Sequence, residues 1–245
     1  MSYPITIDLI PGLPQKPFID GVGGFRGVCC HSTDDKGASA KNEDNFFHNN
    51  WQSDDAFVDG IVGWDAIIQN TNLLYQSWGC ANGNPYFVNV ELCETDDPAL
   101  FQKSYAMYVW YVAKILADKK IPPIDGVTLV SHDWVSKNMG GTNHSDPIQY
   151  LSSHGVTWAQ HVANVQAEYN RQTMAAVPPA PQPIGVAKVI TPVGVVRRSG
   201  AGINFPRLNV LPYGSSWLVW AHVNGRYNVG GWIPDDPAWV QFTPR

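Results

Sequence analysis

The sequence predicts an α/β domain, a central mixed β-sheet flanked by helices, followed by a small all-β barrel. Three observations carry this. Between Arg26 and Val130, short apolar runs of strand type alternate with segments of helical period. Val177 to Pro183, VPPAPQP, is a proline-rich break that should act as a semi-rigid spacer. Beyond it the helical period stops. VAKVI, GVVRR, LNVL, SWLVWAHV, RYNVGGWI and AWVQF follow at short spacing with Gly and Pro turns between them, the pattern of a small barrel. The expected organisation is one domain over 1–176, a linker over 177–183 and a second domain over 184–245.

In chain order, residues 1–24 carry Pro and Gly at short intervals and are expected as extended coil. Arg26 to Thr33, RGVCCHST, is the first core strand, with Val28 and Cys30 on one face and Cys29 and His31 on the other. Ala38 to Trp51 is expected as a helix with Phe46 and Phe47 on its inner face, then Ala56 to Trp64 and Ile67 to Gln69 as a strand and a short return. Leu73 to Pro85 is irregular and ends on a loop signal, Asn82-Gly83-Asn84-Pro85. Tyr86 to Cys93 is a further strand. Asp96-Asp97-Pro98 starts a helix that runs to about Asp118 and should cover a sheet face. A last helix spans Thr157 to Met174, with Trp158, Val162 and Val165 inward.

The stretch Gly126 to Tyr150 organises the rest. Val127 to Val130 is expected as a buried strand ending on Ser131-His132, and a polar loop then delivers His144 and Asp146 ahead of Pro147. His31 likewise sits at the carboxyl end of its strand. Histidines at strand ends and a loop His and Asp can converge on one point, and zinc takes such ligands. Taken singly, such loop residues are more often just solvated side chains. Glu91 lies between Val90 and Leu92; a carboxylate in an apolar strand is costly unless it is paired or used, and a rim salt bridge is the alternative.

Composition removes several classes. A net charge of −5 on 245 residues offers no basic face for nucleic acid. No segment has the roughly 20 continuous apolar residues of a membrane span. The N-terminus lacks a basic lead and a long apolar region, so no secretory signal is expected. Cys29, Cys30, Cys80 and Cys93 have no CxxC spacing and are expected reduced and buried, in a protein made in the cytoplasm.

VCCHST on the first strand, IIQN after the second, NVELCE on the third and SHDW…GGTNHSDP at the end agree in order and spacing with one family. Over roughly residues 20–165 the chain resembles the zinc-dependent type 2 N-acetylmuramoyl-L-alanine amidases of the peptidoglycan-recognition-protein and phage-lysozyme type. The tail, with GRYNVGGWI and AWV, resembles a bacterial SH3-like wall-binding module; together they resemble a phage endolysin or autolysin. The resemblance implies that 1–176 is a zinc amidase catalytic domain and 184–245 a cell-wall-binding domain. It implies Zn2+ held by His31, His132 and Asp146, with Glu91 near the activated water and His144 where many members carry an oxyanion-stabilising Lys. His144 is the rival third ligand. The family commonly places a His and an aromatic residue on the second strand, a Tyr there assisting catalysis in some members; Asp59-Gly60 stand here instead, and no phenol is available.

The implied function is hydrolysis of the amide between N-acetylmuramic acid and L-Ala of the stem peptide by zinc-activated water, in a monomer that acts on bacterial peptidoglycan after release to the wall. A non-catalytic peptidoglycan-binding protein is the alternative, and a cysteine peptidase using Cys29 or Cys30 is a third reading. Tyr213, Tyr227, Trp232 and Trp239 are the candidates for wall contact in the tail, each near a Gly or Pro turn.

Overall fold

The computed structural model describes residues 2–175 and 182–245. The chain divides into two compact units, Met1–Ala176 and Val177–Arg245. The proline-rich spacer expected over 177–183 falls mostly on residues 177–181, outside the described residues.

In the first unit six strands form one mixed sheet: β1 (Thr6–Ile7), β2 (Gly27–Ser32), β3 (Gly60–Val62), β4 (Ile67–Gln69), β5 (Phe87–Leu92) and β6 (Leu129–Ser131). Their order across the sheet is β1-β4-β3-β5-β2-β6. Only β3 and β4 pair antiparallel, through the tight return between them; β2 is flanked in parallel by β5 and β6. Five helices accompany the sheet: α1 (Ala40–Asp54), α2 (Pro98–Asp118), α3 (His132–Asn138), α4 (Ile148–Ser153) and α5 (Trp158–Ala175).

The alternation along β2 and β5 sorts the side chains. Val28, Cys30, Val88, Val90 and Leu92 face the main core, which α2 and Val165 of α5 cover. Asp97 caps α2 by accepting from the N–H groups of Ala99 and Leu100, and Pro98 opens the helix. On the opposite face two smaller apolar clusters form, one around Cys29, Val130 and Val135, the other around Ala40, Ile61 and Cys93. Polar residues of β2 and β5 share this face with them.

A glycine inside a strand, such as Gly60, ordinarily weakens it. The structure gives it a reason: a Cβ there would lie 2.5 Å from Cε1 of Tyr111, so the buried ring of α2 seats directly on the strand backbone.

Several expectations are corrected. Residues 1–24 contain a strand, β1, added in parallel to β4. Phe46 is exposed and only Phe47 packs inward, because the helix turns Phe46 past the edge of its apolar stripe. The strand expected over Ala56 to Trp64 narrows to β3. Val127 is exposed, and β6 begins two residues later. His132 opens a helix and not a loop: Ser131 caps α3 by accepting from the N–H of Trp134, and the polar loop starts only after Asn138. The short helix α4 was unforeseen.

The second unit is all β, with β7 (Gly185–Val189), β8 (Val195–Arg198), β9 (Arg207–Leu211), β10 (Ser216–Val219), β11 (Ala221–Val223), β12 (Arg226–Asn228), β13 (Trp232–Pro234) and β14 (Val240–Pro244). They form a three-stranded sheet, β10-β7-β14, and a five-stranded sheet, β11-β12-β13-β8-β9, around a core of small aliphatic residues such as Ala187, Val189, Leu211 and Ile233. Two small β-sheets around one core are compatible with the expected SH3-like barrel. Two expected runs, SWLVWAHV and RYNVGGWI, each break into two strands.

Candidate metal centre and cleft

His31 and Glu91 are direct partners in the parallel register of β2 and β5, so their side chains stand side by side on the face away from α2. Tyr108 of α2 stitches this point from the other face: its hydroxyl accepts from the His31 N–H at 3.0 Å and donates toward the carbonyls of His31 and Val90 at 3.1 Å. His132 is the first residue of α3, one residue past β6. The loop after α3 turns through Gly140 and Gly141, with φ of 74° and 80°, which favours glycine. It is held to the helix by Ser136 Oγ donating to the His144 carbonyl at 2.7 Å and by the Asp133 N–H donating to the Asp146 carbonyl at 3.1 Å. Asp146 is thereby set against both histidines.

His31 Nδ1 lies 3.2 Å from Asp146 Oδ2, and His132 Nδ1 lies 3.2 Å from Asp146 Oδ1. One ligand atom from each of the three residues falls within 4.8 Å of the others. Ligand atoms about 2.0–2.1 Å from a tetrahedral ion stand roughly 3.3–3.4 Å apart, close to the 3.2 Å that separates each histidine from the Asp146 carboxylate. His144 stacks on His132 with ring centres 4.7 Å apart, is largely exposed, and places Nδ1 3.6 Å from Asp146 Oδ1. It stands at the mouth and is not part of that donor set.

The charges are those of a site prepared for a cation. Burial opposes charge on Asp146, but hydrogen bonds from His132 and His31 outweigh it and hold the carboxyl well below the usual range. Burial also works against charge on His31, yet Asp146, Cys80 and the Glu91 charge raise it well above its ordinary value. Burial lowers His132, with the charge of His31 adding to the effect. These shifts favour the second ring proton on His31 over His132, and it is that proton a metal would displace. Burial pushes Glu91 to about 8, with Asp146, Glu43 and Glu94 adding to the rise. Its Oε2 is buried without a hydrogen-bond partner, and among the described residues no Lys, Arg or His forms the rim salt bridge considered for it.

A cleft of about 500 Å³ opens here, lined by His31, Glu91, His132 and Asp146, by His144 at the mouth, and by Phe57, Trp78 and Tyr150. Within this sheet-and-helix unit, residues 23–149, just over half of the chain, match the family model described as N-acetylmuramoyl-L-alanine amidase. The chain belongs to the N-acetylmuramoyl-L-alanine amidase family. It is 32% identical over 211 residues to an endolysin of Listeria phage A511, covering 80% of this chain and 60% of that one. It is 36% identical over 171 residues to a bifunctional autolysin of Staphylococcus aureus, covering 67% of this chain and 14% of that one. The chain thus spans less than two thirds of either relative. A crystal structure of the Staphylococcus aureus hydrolase AmiA with its ligand superposes with a TM-score of 0.68 at 32% identity, over 73% of this chain and 89% of AmiA. The catalytic domain of XlyA, at 22% identity and a TM-score of 0.51 over 66% of this chain and 99% of that domain, shares the fold.

Sequence reasoning missed the groups behind the amidase-family donors. His132 Nε2 meets Thr142 Oγ1 at 3.0 Å, and His31 Nε2 meets Asn89 Oδ1 at 2.9 Å. Asn89 was detectable: like Glu91 it is a polar residue between two valine-type neighbours of β5, on the same face. Asp59, noticed only as a departure from the family pattern, is wholly buried and accepts from Ser77, Thr71 and the Asn89 N–H. Burial raises it to about 6 against the pull of those three donors.

All four cysteines are free and buried. Burial pushes Cys29 well up and Cys30 to about 12, which leaves neither a ready nucleophile. In the tail, Tyr213 and Trp239 are exposed, whereas Trp232 is half-buried and Tyr227 packs on the core, stacked on Phe242 at 4.7 Å. Tyr227 is therefore corrected as an exposed candidate: it pairs with Ile233 on the core face of the β12–β13 hairpin, whereas Trp232 pairs with Asn228 on the other face.

Proposed function

We propose that the chain is a zinc-dependent amidase that cleaves the amide between N-acetylmuramic acid and L-Ala of the peptidoglycan stem peptide. The observation that carries the reading is the convergence of His31 Nδ1, His132 Nδ1 and the Asp146 carboxylate on one point beside an unpartnered, buried Glu91 oxygen. Two imidazoles and a carboxylate are a zinc donor set that leaves one position open. When bound, zinc supplies a Lewis acid that acidifies water and polarises the amide carbonyl. Glu91 takes the proton of the attacking water and passes it to the nitrogen of the leaving L-Ala. A positive ion on the neighbouring donors lowers its pKa from about 8 and restores the carboxylate this role needs. His144, at the mouth, donates to the oxygen on which negative charge develops. Glu91 and His144, so placed, do without a phenol at Asp59-Gly60.

A non-catalytic wall-binding protein is the second reading; the presence of all three donors and of Glu91 favours the enzyme. The test is mass analysis of products released from purified peptidoglycan. Free stem peptides beginning with L-Ala, with intact glycan strands, are expected; cleavage elsewhere, or none with zinc bound, overturns the proposal.

The tail over 184–245 is proposed as the wall-binding module, with Tyr213 and Trp239 as its exposed rings, in a monomer acting on the wall after release. Expressed alone, residues 184–245 should fold and sediment with cell walls. Residues 1–176 should keep zinc and cleave soluble muropeptides but lose activity on whole cells, since tethering raises local concentration without altering the chemistry. A tail that binds no wall tested would mark it as a structural cap.

A further inference from the structure

The buried groups behind His31 form a chain whose hydrogen-bond direction follows from its end. Asp59 is 0% exposed and, among the described residues, meets no Lys or Arg. It is satisfied by donors alone. Thr71 receives the Leu73 N–H at 3.1 Å, so its own hydroxyl hydrogen goes to Asp59 Oδ1. Asp59 Oδ2 accepts from the Asn89 N–H at 2.8 Å and from the Ser77 hydroxyl.

Ser77 has one hydrogen and has given it to Asp59. Toward the Asn89 side chain, 2.8 Å away, it can only accept, so the group facing it is Nδ2. Oδ1 of the same amide then faces His31 Nε2 at 2.9 Å as an acceptor. Nε2 must carry a hydrogen, so the hydrogen that Nδ1 gives to Asp146 Oδ2, 3.2 Å away, is the one an ion would displace. Ser77 and Asn89 are both 0% exposed, so no solvent competes for these bonds.

We infer that Asp59 is a positioning residue for the metal centre: acting through Ser77 and Asn89, it holds the ring hydrogen of His31 on Nε2 and so reserves Nδ1 for the ion. The inference rests on the zinc reading above. It accounts for a carboxylate buried without a Lys or Arg partner among the described residues, and it gives the Asp59 position a use in this chain. Groups that orient a ligating imidazole through its second nitrogen govern metal affinity and not the shape of the cleft.

The substitution that isolates the relay is Ser77→Ala. It leaves Asp59 with its other donors and His31 with Asn89, and it frees the Asn89 amide to face either way. Zinc Kd, read by chelator competition on the full chain, should weaken roughly 10–100-fold. At saturating zinc, KM should be unchanged and kcat largely recovered, which a defect in the substrate cleft would not allow. On the zinc-loaded wild type, long-range proton–nitrogen spectra of the imidazoles should show His31 protonated on Nε2 and metal-shifted on Nδ1. An unmoved Kd in Ser77→Ala, or His31 binding zinc through Nε2, overturns the relay while leaving zinc binding intact. A wild type that binds no zinc overturns the zinc reading and the relay with it.

Discussion

Asp146→Ala should lose zinc in the presence of a chelator that leaves the wild type loaded, and its turnover should fall to background. Asp146 bridges the two histidines with a separate oxygen on each, both at 3.2 Å. Its removal takes away one donor and the charge that organises the other two. His144→Ala should keep zinc, because His144 stands outside the donor set, and should lose rate only. If His144→Ala is the variant that loses the metal and Asp146→Ala keeps it, the ligand assignment is wrong. Zinc affinity should also depend on pH. His31 in the metal-free protein holds its proton above the ordinary 6.5. Below its raised pKa that proton competes with the ion, so affinity should climb about tenfold per pH unit until His31 is neutral.

Glu91→Gln should lower kcat roughly 10²–10⁴-fold with zinc retained and KM little changed, since size and shape are kept and only basicity is removed. Unchanged turnover would take Glu91 out of the mechanism. The same variant carries a stability signature. In the metal-free protein burial holds Glu91 at about 8, against 4.5 for the ordinary group. The folded chain therefore binds a proton that the unfolded chain has released, and this contribution to stability fades as pH rises between those values. The Gln variant has no such proton to lose. Its Tm advantage over metal-free wild type should widen from about pH 5 to about pH 8. A gap that does not move with pH would mean that Glu91 is not held protonated by burial.

Much of the fold was legible because local patterns and the tertiary arrangement agree. The strand run around Val28 and Cys30, the capped start of α2 at Asp97-Pro98 and the inward stripe Trp158, Val162 and Val165 all appear as expected. Where the reading failed, the signal was short or ambiguous. Seven-residue α3 and six-residue α4 are too brief to show a helical period, and β1 has only two residues. Phe46 and Val127 were placed inward on helical period and on an apolar run, but burial depends on which neighbour is present. The tail aromatics show the same limit: Tyr213 and Tyr227 look alike in sequence, and only the packing of β12 against Phe242 separates the exposed ring from the half-buried one.

By itself the sequence determined the element types, the change from an α/β pattern to an all-β one, and the residue types available for a metal centre. Those follow from period, caps and turn residues, which are local. Only the tertiary structure decided that His31 and Glu91 share a register, that Asp146 divides its two oxygens between two imidazoles, and that Asp59 reaches His31 through Ser77 and Asn89. These relations join residues far apart in the chain. They depend on strand pairing and on side chains closing hydrogen bonds where water is excluded, and no local pattern encodes the direction of such a chain.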